Sequence, residues 1–258
     1  MESNAYSVYT GRVKHISHFI LFILASSLSV LLMNGCGVRS SLDLSADNAD
    51  VLSLDLEITG IALQYFEDIS AAQGISLDGS SIFIPDQIRA FFDGTEGVTA
   101  LDVHTEGTGG LKTVLAFDDI NAFFAKESLP GIPHILSIIQ EGQHKRLRIV
   151  FERGNINQLS ALLPLGEDPV SQSGLMLFEN HGTREEFIDM MDWLFEEYAN
   201  RQEVEKTLKQ SLIELEIKLP SDVLSTNMKK NGKRSVSLSV PMLEFFTLEE
   251  PLEYFAVY

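Results

Sequence analysis

Few residues in this chain have the type and spacing to do chemistry. Cys36 is the sole cysteine and directly follows Gly35. Its thiol can accept a covalent group, but with no second cysteine it can form no intramolecular disulfide and no sulfur-based metal site. The histidines are His15, His18, His104, His134, His144 and His181, and none stands in HExxH or HxH spacing, so no metal is expected. Carboxylates occur as adjacent pairs at Asp118-Asp119, Glu185-Glu186, Glu196-Glu197 and Glu249-Glu250. Neighbouring residues on a helix or strand point apart, which makes these pairs solvated faces. The chain has no GxSxG elbow and no DxDxDG loop, and Gly107-Thr108-Gly109-Gly110 is too short to cradle a phosphate. The expectation is therefore no enzyme, no catalytic residue and no cofactor.

The residues before Cys36 give its thiol a role. Arg12 and Lys14 precede an apolar run from Phe19 to Met33, interrupted only by Ser26, Ser27 and Ser29, and Asn34-Gly35-Cys36 follows. A basic start, an apolar stretch and a small residue at the cut make a secretory signal. A small residue immediately before cysteine resembles the lipobox of bacterial lipoproteins. The resemblance implies lipidation of Cys36, removal of residues 1–35 as a signal peptide and anchoring in the cell envelope. Each buried methylene adds ~0.8 kcal/mol, and stable attachment takes more than one acyl chain. The alternative from the same residues is an uncleaved anchor, because no charged side chain lies between Lys14 and Arg39. Both readings place the body outside the cytoplasm, since the basic residues come first.

Composition bounds the rest. The chain has 258 residues, 45% of them hydrophobic, enough for a substantial core. Its formal net charge of −18 repels phosphate, so nucleic acid is excluded as a partner. The polar stretch from Gly37 to Asn48 reads as a tether, so the expected organisation is a lipidated cysteine and tether over 36–48 and one domain over 49–258.

Within that domain the hydrophobic period alternates between two and 3.6. Leu52, Leu54, Leu56 and Ile58 share one face of a strand, and a helix over Gly60 to Ala72 follows. Pro85 opens a helix that Asp93-Gly94 ends. Two hairpins come next, Thr99–Glu106 with Leu111–Phe117 and Ile135–Gln140 with Lys145–Glu152, each followed by a short helical stretch. Leu163 to Gly182, rich in proline and glycine, reads as a long loop within one domain or as a boundary between two halves. Thr183 and Glu186 form a capping box for a helix reaching Tyr198. Ile213, Leu215, Ile217 and Leu219, then Val236, Leu238 and Val240, mark two further strands, and Leu252 to Tyr258 a last one. Hairpins without a βαβ rhythm give an α+β fold, an antiparallel sheet packed against a long helix.

The closing residues resemble LppM-like bacterial lipoprotein domains. The pattern is a strand ending at Leu219-Pro220, then Val223, Ser225-Thr226-Asn227, a strand through Val236–Val240, Pro241-Met242-Leu243 and an aromatic terminal strand. The resemblance implies a helix-grip arrangement, with a curved sheet around a helix and an apolar cavity for a lipid-type ligand. On the Thr183–Tyr198 helix, the residues expected to line it are Phe187, Met190, Met191, Trp193, Leu194 and Tyr198; the alternative for the same wide apolar surface is a core helix covered on two sides. The competing expectation is an envelope lipoprotein that acts through a protein partner.

Overall fold

The computed structural model describes residues 37–45, 49–72, 81–83, 85–125, 135–155 and 182–258. The signal segment, Cys36 and most of the proline- and glycine-rich loop candidate lie outside the described residues, as does the helical stretch expected after Asn155. The strands are β1 (Gly37–Asp43), β2 (Asp50–Glu57), β3 (Val98–Glu106), β4 (Gly110–Phe117), β5 (Leu136–Glu141), β6 (His144–Phe151), β7 (Leu212–Lys218), β8 (Ser225–Thr226), β9 (Lys229–Lys230), β10 (Ser235–Pro241) and β11 (Leu252–Val257). The helices are α1 (Gly60–Ala72), α2 (Pro85–Asp93), α3 (Ile120–Ala125), α4 (Arg184–Leu194), α5 (Arg201–Gln210) and α6 (Met242–Thr247). The fold is α+β.

A seven-stranded sheet runs β3-β4-β2-β1-β7-β10-β9, and a four-stranded sheet runs β5-β6-β11-β8. The stretch expected to be a tether is corrected here: Gly37–Asp43 is the central strand of the large sheet. It pairs antiparallel with β2, Gly37 opposite Glu57 and Asp43 opposite Val51. On its other side it pairs parallel with β7, Gly37 opposite Leu212 and Asp43 opposite Lys218. That is the one parallel contact in the two sheets among the described residues. The strand closes on Asp43, whose carboxylate accepts from Lys218 Nζ at 2.8 Å and Ser45 Oγ at 2.6 Å. Burial works against that carboxylate, but these hydrogen bonds outweigh it and hold its pKa below the usual range.

The pairing registers sort the side chains. Val38, Ser40 and Leu42 of β1 lie in line with Leu56, Leu54 and Leu52 of β2 and with Ile213, Leu215 and Ile217 of β7. This apolar face turns inward. On the opposite face a row of charges crosses the sheet, His104, Lys112, Asp55, Arg39 and Glu214, each directly opposite the next. Opposite charges in cross-strand positions favour this register over a slip, although each solvated pair adds little stability.

Both edges of the large sheet are protected against pairing with other chains. Alongside β3 lies α2, where Arg89 Nη1 donates to the Ala100 carbonyl at 2.9 Å and the Ala100 amide donates to Asp93 Oδ1 at 2.9 Å. The other edge, β9, is two residues long and both are exposed lysines. The β3–β4 turn requires glycine for packing. A Cβ on Gly109 would come within 2.0 Å of the Ile58 carbonyl oxygen.

The second sheet meets the first through α6 and α3, each of which packs against both. Phe151 packs edge-on to Phe245 of α6, and Phe117 of β4 edge-on to Phe123 of α3. The core runs without a break through both sheets and includes Leu42, Leu147, Phe187, Phe195, Ile217, Val236 and Phe246.

A protein starting at Ala49 retains the predicted domain but loses β1, leaving β2-β4-β3 and β7-β10-β9 unconnected by backbone pairing. It is expected to unfold at a much lower temperature and less cooperatively than a protein starting at Gly37, as read by circular dichroism. Equal melting of the two proteins would contradict this placement of β1.

Candidate functional site

The inward face of the large sheet is unevenly covered. On the flanking strands Leu111 and Leu115 of β4 and Val236, Leu238 and Val240 of β10 are buried. On the three central strands Val38, Leu52, Leu54, Ile213 and Leu215 are only half-buried, although each packs against the core. Central strands are ordinarily the best covered part of a sheet, so, although Leu42, Leu56 and Ile217 on the same strands and face are buried, this partly exposed apolar patch stands out. Ser40 sits at its middle, between Leu54 and Leu215 in the register. Its hydroxyl turns back to the Glu214 carbonyl at 3.0 Å, leaving no large side chain at the centre.

Of the residues expected to line a cavity, the structure separates three groups. Phe187 and Met191 are fully buried, with Phe187 stacked on Phe246 at 5.6 Å and 12° between planes. They are core residues. Met190, Leu194 and Tyr198 are half-buried against the core. Trp193 is 67% exposed and lines no interior space. Six residues past Phe187, Trp193 stands on the far side of the helix, a phase the sequence contains. The helix is also shorter than expected. It keeps its capping box, Glu186 N donating to Thr183 Oγ1 and Thr183 N to Glu186 Oε2, but ends at Leu194. Tyr198 lies in the turn beyond, and Asn200 caps α5. Arg201 at the start of α5 ties back to Asp189 and to Asp192 of α4.

Tyr198 joins an aromatic cluster that sequence reasoning missed. Tyr65 of α1 packs edge-on to Phe195 at 5.4 Å and to Tyr198 at 6.1 Å. The Tyr198 hydroxyl donates to Asp68 Oδ2 at 2.7 Å. Burial, and then the hydrogen bond to the Asp68 carboxylate, push the Tyr198 pKa up to about 12. Burial raises that of Tyr65 as well. This cluster fixes α1 to the end of α4.

Two polar concavities lie elsewhere. A cleft of about 460 Å³ at the Asp43 end of the sheet is lined by Asp50, Asp118, Asp119, Asn121, Gln140, Lys145 and Tyr258. Asp50 Oδ2 accepts from the Ile120 amide, Asp119 Oδ1 from the Ala122 amide, and Asn121 Oδ1 from the Ile138 amide. These groups serve the local backbone. A shallow depression of about 360 Å³ on the charged face includes Asp102, His104, Lys112, Asp55 and Arg39. There Asp102 Oδ2 is 2.9 Å from His104 Nδ1, and both are exposed. Among the described residues no group of three or more His, Cys, Asp or Glu side chains could hold a metal ion. Nor is any helix among them long and apolar enough to cross a membrane.

The fold and its site define an α+β protein with an incompletely covered apolar sheet face. No protein-family model matches the sequence, and no curated protein matches it. Among solved structures the chain is similar to the folded domain of the LppM protein of Mycobacterium tuberculosis, determined by NMR. The TM-score is 0.39 at 12% identity, covering 87% of this chain and 90% of that one.

The raised Tyr198 pKa gives a signed prediction. The fold favours the neutral phenol, so this stabilisation is complete below the free tyrosine value near 10 and is lost as pH rises through about 12. Tyr198→Phe is expected to lose about 1 kcal/mol at neutral pH, the worth of the hydrogen bond. Its stability should also decline less steeply than wild type above pH 10. Parallel declines in denaturant titrations at alkaline pH would contradict the role given to this hydroxyl.

Proposed function

We propose that the protein is an envelope lipoprotein, held to a membrane through acyl chains on Cys36, whose extracytoplasmic domain binds a lipid or other apolar ligand without catalysing a reaction on it. The observation that carries the ligand reading is the half-buried apolar strip on β2, β1 and β7 around Ser40. An acyl or similarly flexible apolar group removes that strip from water at ~25 cal/mol per Å². Half-buried Met190 and Leu194 are the helix residues best suited to adapt to such a guest. The acidic body, with a formal charge of −18 for the whole chain, disfavours an anionic headgroup inside the domain and favours a neutral or cationic one. The anchor reading rests on the basic start, the apolar run and Gly35-Cys36.

The ligand is tested by mass spectrometry of organic extracts from a protein starting at Gly37, alongside Ser40→Leu. The wild type is expected to release a lipid-class species. The leucine covers part of the patch and should lower that yield while leaving the melting temperature unchanged or higher. Absence of any co-purifying apolar species, together with no change on adding candidate lipids, would reject the ligand reading in favour of a protein partner.

The anchor is tested separately. Cys36→Ser is expected to abolish acyl labelling and to prevent removal of the leader. Persisting label in the serine variant, or a mature N-terminus elsewhere in the wild type, would contradict lipidation at this position.

A further inference from the structure

We infer that the domain stands on its membrane by one defined end, with the strands of the large sheet roughly along the membrane normal and the Gly37 end against the headgroups. This rests on the anchored reading above, in either of its forms: acyl chains on Cys36 and a retained apolar segment both put the bilayer just before Gly37. Because β1 begins at Gly37, no residue separates a lipidated Cys36 from the sheet, and only Asn34-Gly35-Cys36 separate a retained apolar run from it. Consecutive Cα atoms are only ~3.8 Å apart, so the end of the central strand is held within one residue step of a lipidated Cys36.

The registers identify what lies level with it. Glu106, Gly110, Glu57, Gly37, Leu212 and Pro241 form one row across six strands. The row itself carries two exposed carboxylates, Glu57 and Glu106, the latter paired with Lys112 at 2.9 Å, while the residues beyond it at Thr59-Gly60, Gly107-Thr108-Gly109, Ser81-Ile82 and Ser211 carry no charge. The opposite end, six residue steps or ~20 Å away along β1, carries Asp43, Asp50, Asp118, Asp119, Lys218, Asp222, Lys233 and Arg234. In so acidic a chain, the end with fewer charged side chains meets headgroups with less repulsion and less loss of hydration. The charged end and its cleft then face away from the anchoring bilayer.

The test uses the full chain, processed and purified from membranes, in vesicles of neutral lipid containing a headgroup nitroxide. Thr108→Cys at the near end and Lys233→Cys at the far end are labelled in turn with a thiol-reactive fluorophore. Otherwise wild-type protein, labelled in parallel, reports whether the Cys36 thiol is free. The Thr108 site is expected to be quenched several-fold more than the Lys233 site. Inserting a ~12-residue Gly/Ser linker between Cys36 and Gly37 should erase that contrast while the protein still floats with the vesicles. Equal or reversed quenching in protein that does float overturns the orientation and leaves the anchor standing. Protein that does not float overturns both. A labelled Cys36 in floating protein contradicts lipidation alone, and the quenching contrast still decides the orientation.

Discussion

Backbone hydrogen bonding on both sides of β1 is the constraint on which the rest of the structure depends. The N-terminal half supplies β2, β4 and β3, and the C-terminal half supplies β7, β10 and β9. Among the described residues only β1 pairs with both, antiparallel to the first and parallel to the second. The parallel contact spans some 175 residues of sequence, so its loop-closure entropy must be met by contacts formed elsewhere. Contacts of α1 with the end of α4, Tyr65 on Phe195 and Tyr198 on Asp68, also join the two halves and contribute to meeting it. With no disulfide available, packing and pairing alone hold the two halves together.

The two faces of that sheet divide its work. One carries a row of charges, alternating in sign from Lys112 to Glu214, whose main effect is to fix register, because a slip of one residue would turn these charges inward and the leucines outward. The other carries leucine, isoleucine and valine on every central strand except at Ser40. A serine in the middle of an apolar face costs stability that a leucine would supply, and its apolar neighbours Leu54 and Leu215 are only half-buried. The same strand therefore joins the two halves of the sheet, carries the middle of the partly exposed patch and, in the proposed function, connects to the membrane.

Much of this was legible in the sequence wherever one strand carries its own pattern. Leu52 to Ile58 and Ile213 to Leu219 alternate without interruption, and the hairpins around Gly107 and Gly142 have the glycines their turns need at positive φ. The strand β1 was not legible because GVRSSLD offers only Val38 and Leu42 to an alternation. It is extended because two neighbours offer backbone partners, a tertiary effect that no local propensity contains. Ser40 was hidden for the same reason: its apolar neighbours Leu54 and Leu215 belong to other strands. The capping box at Thr183 is legible, whereas the end of that helix at Leu194 is not, because the apolar spacing continues to Tyr198. The phase of the residues around Trp193 divides them between core and solvent rather than joining them in one cavity wall. The Tyr65 cluster joins segments 130 residues apart, which spacing alone does not reveal.

The most direct test of β1 as the central strand is amide hydrogen exchange on a protein comprising residues 37–258. Amides of β1 paired on either side are predicted to exchange only through global unfolding, with protection equal to that of β4 and β10. Exchange of Val38 through Leu42 at the rate of a fraying terminus, while β4 and β10 stay protected, would contradict the account.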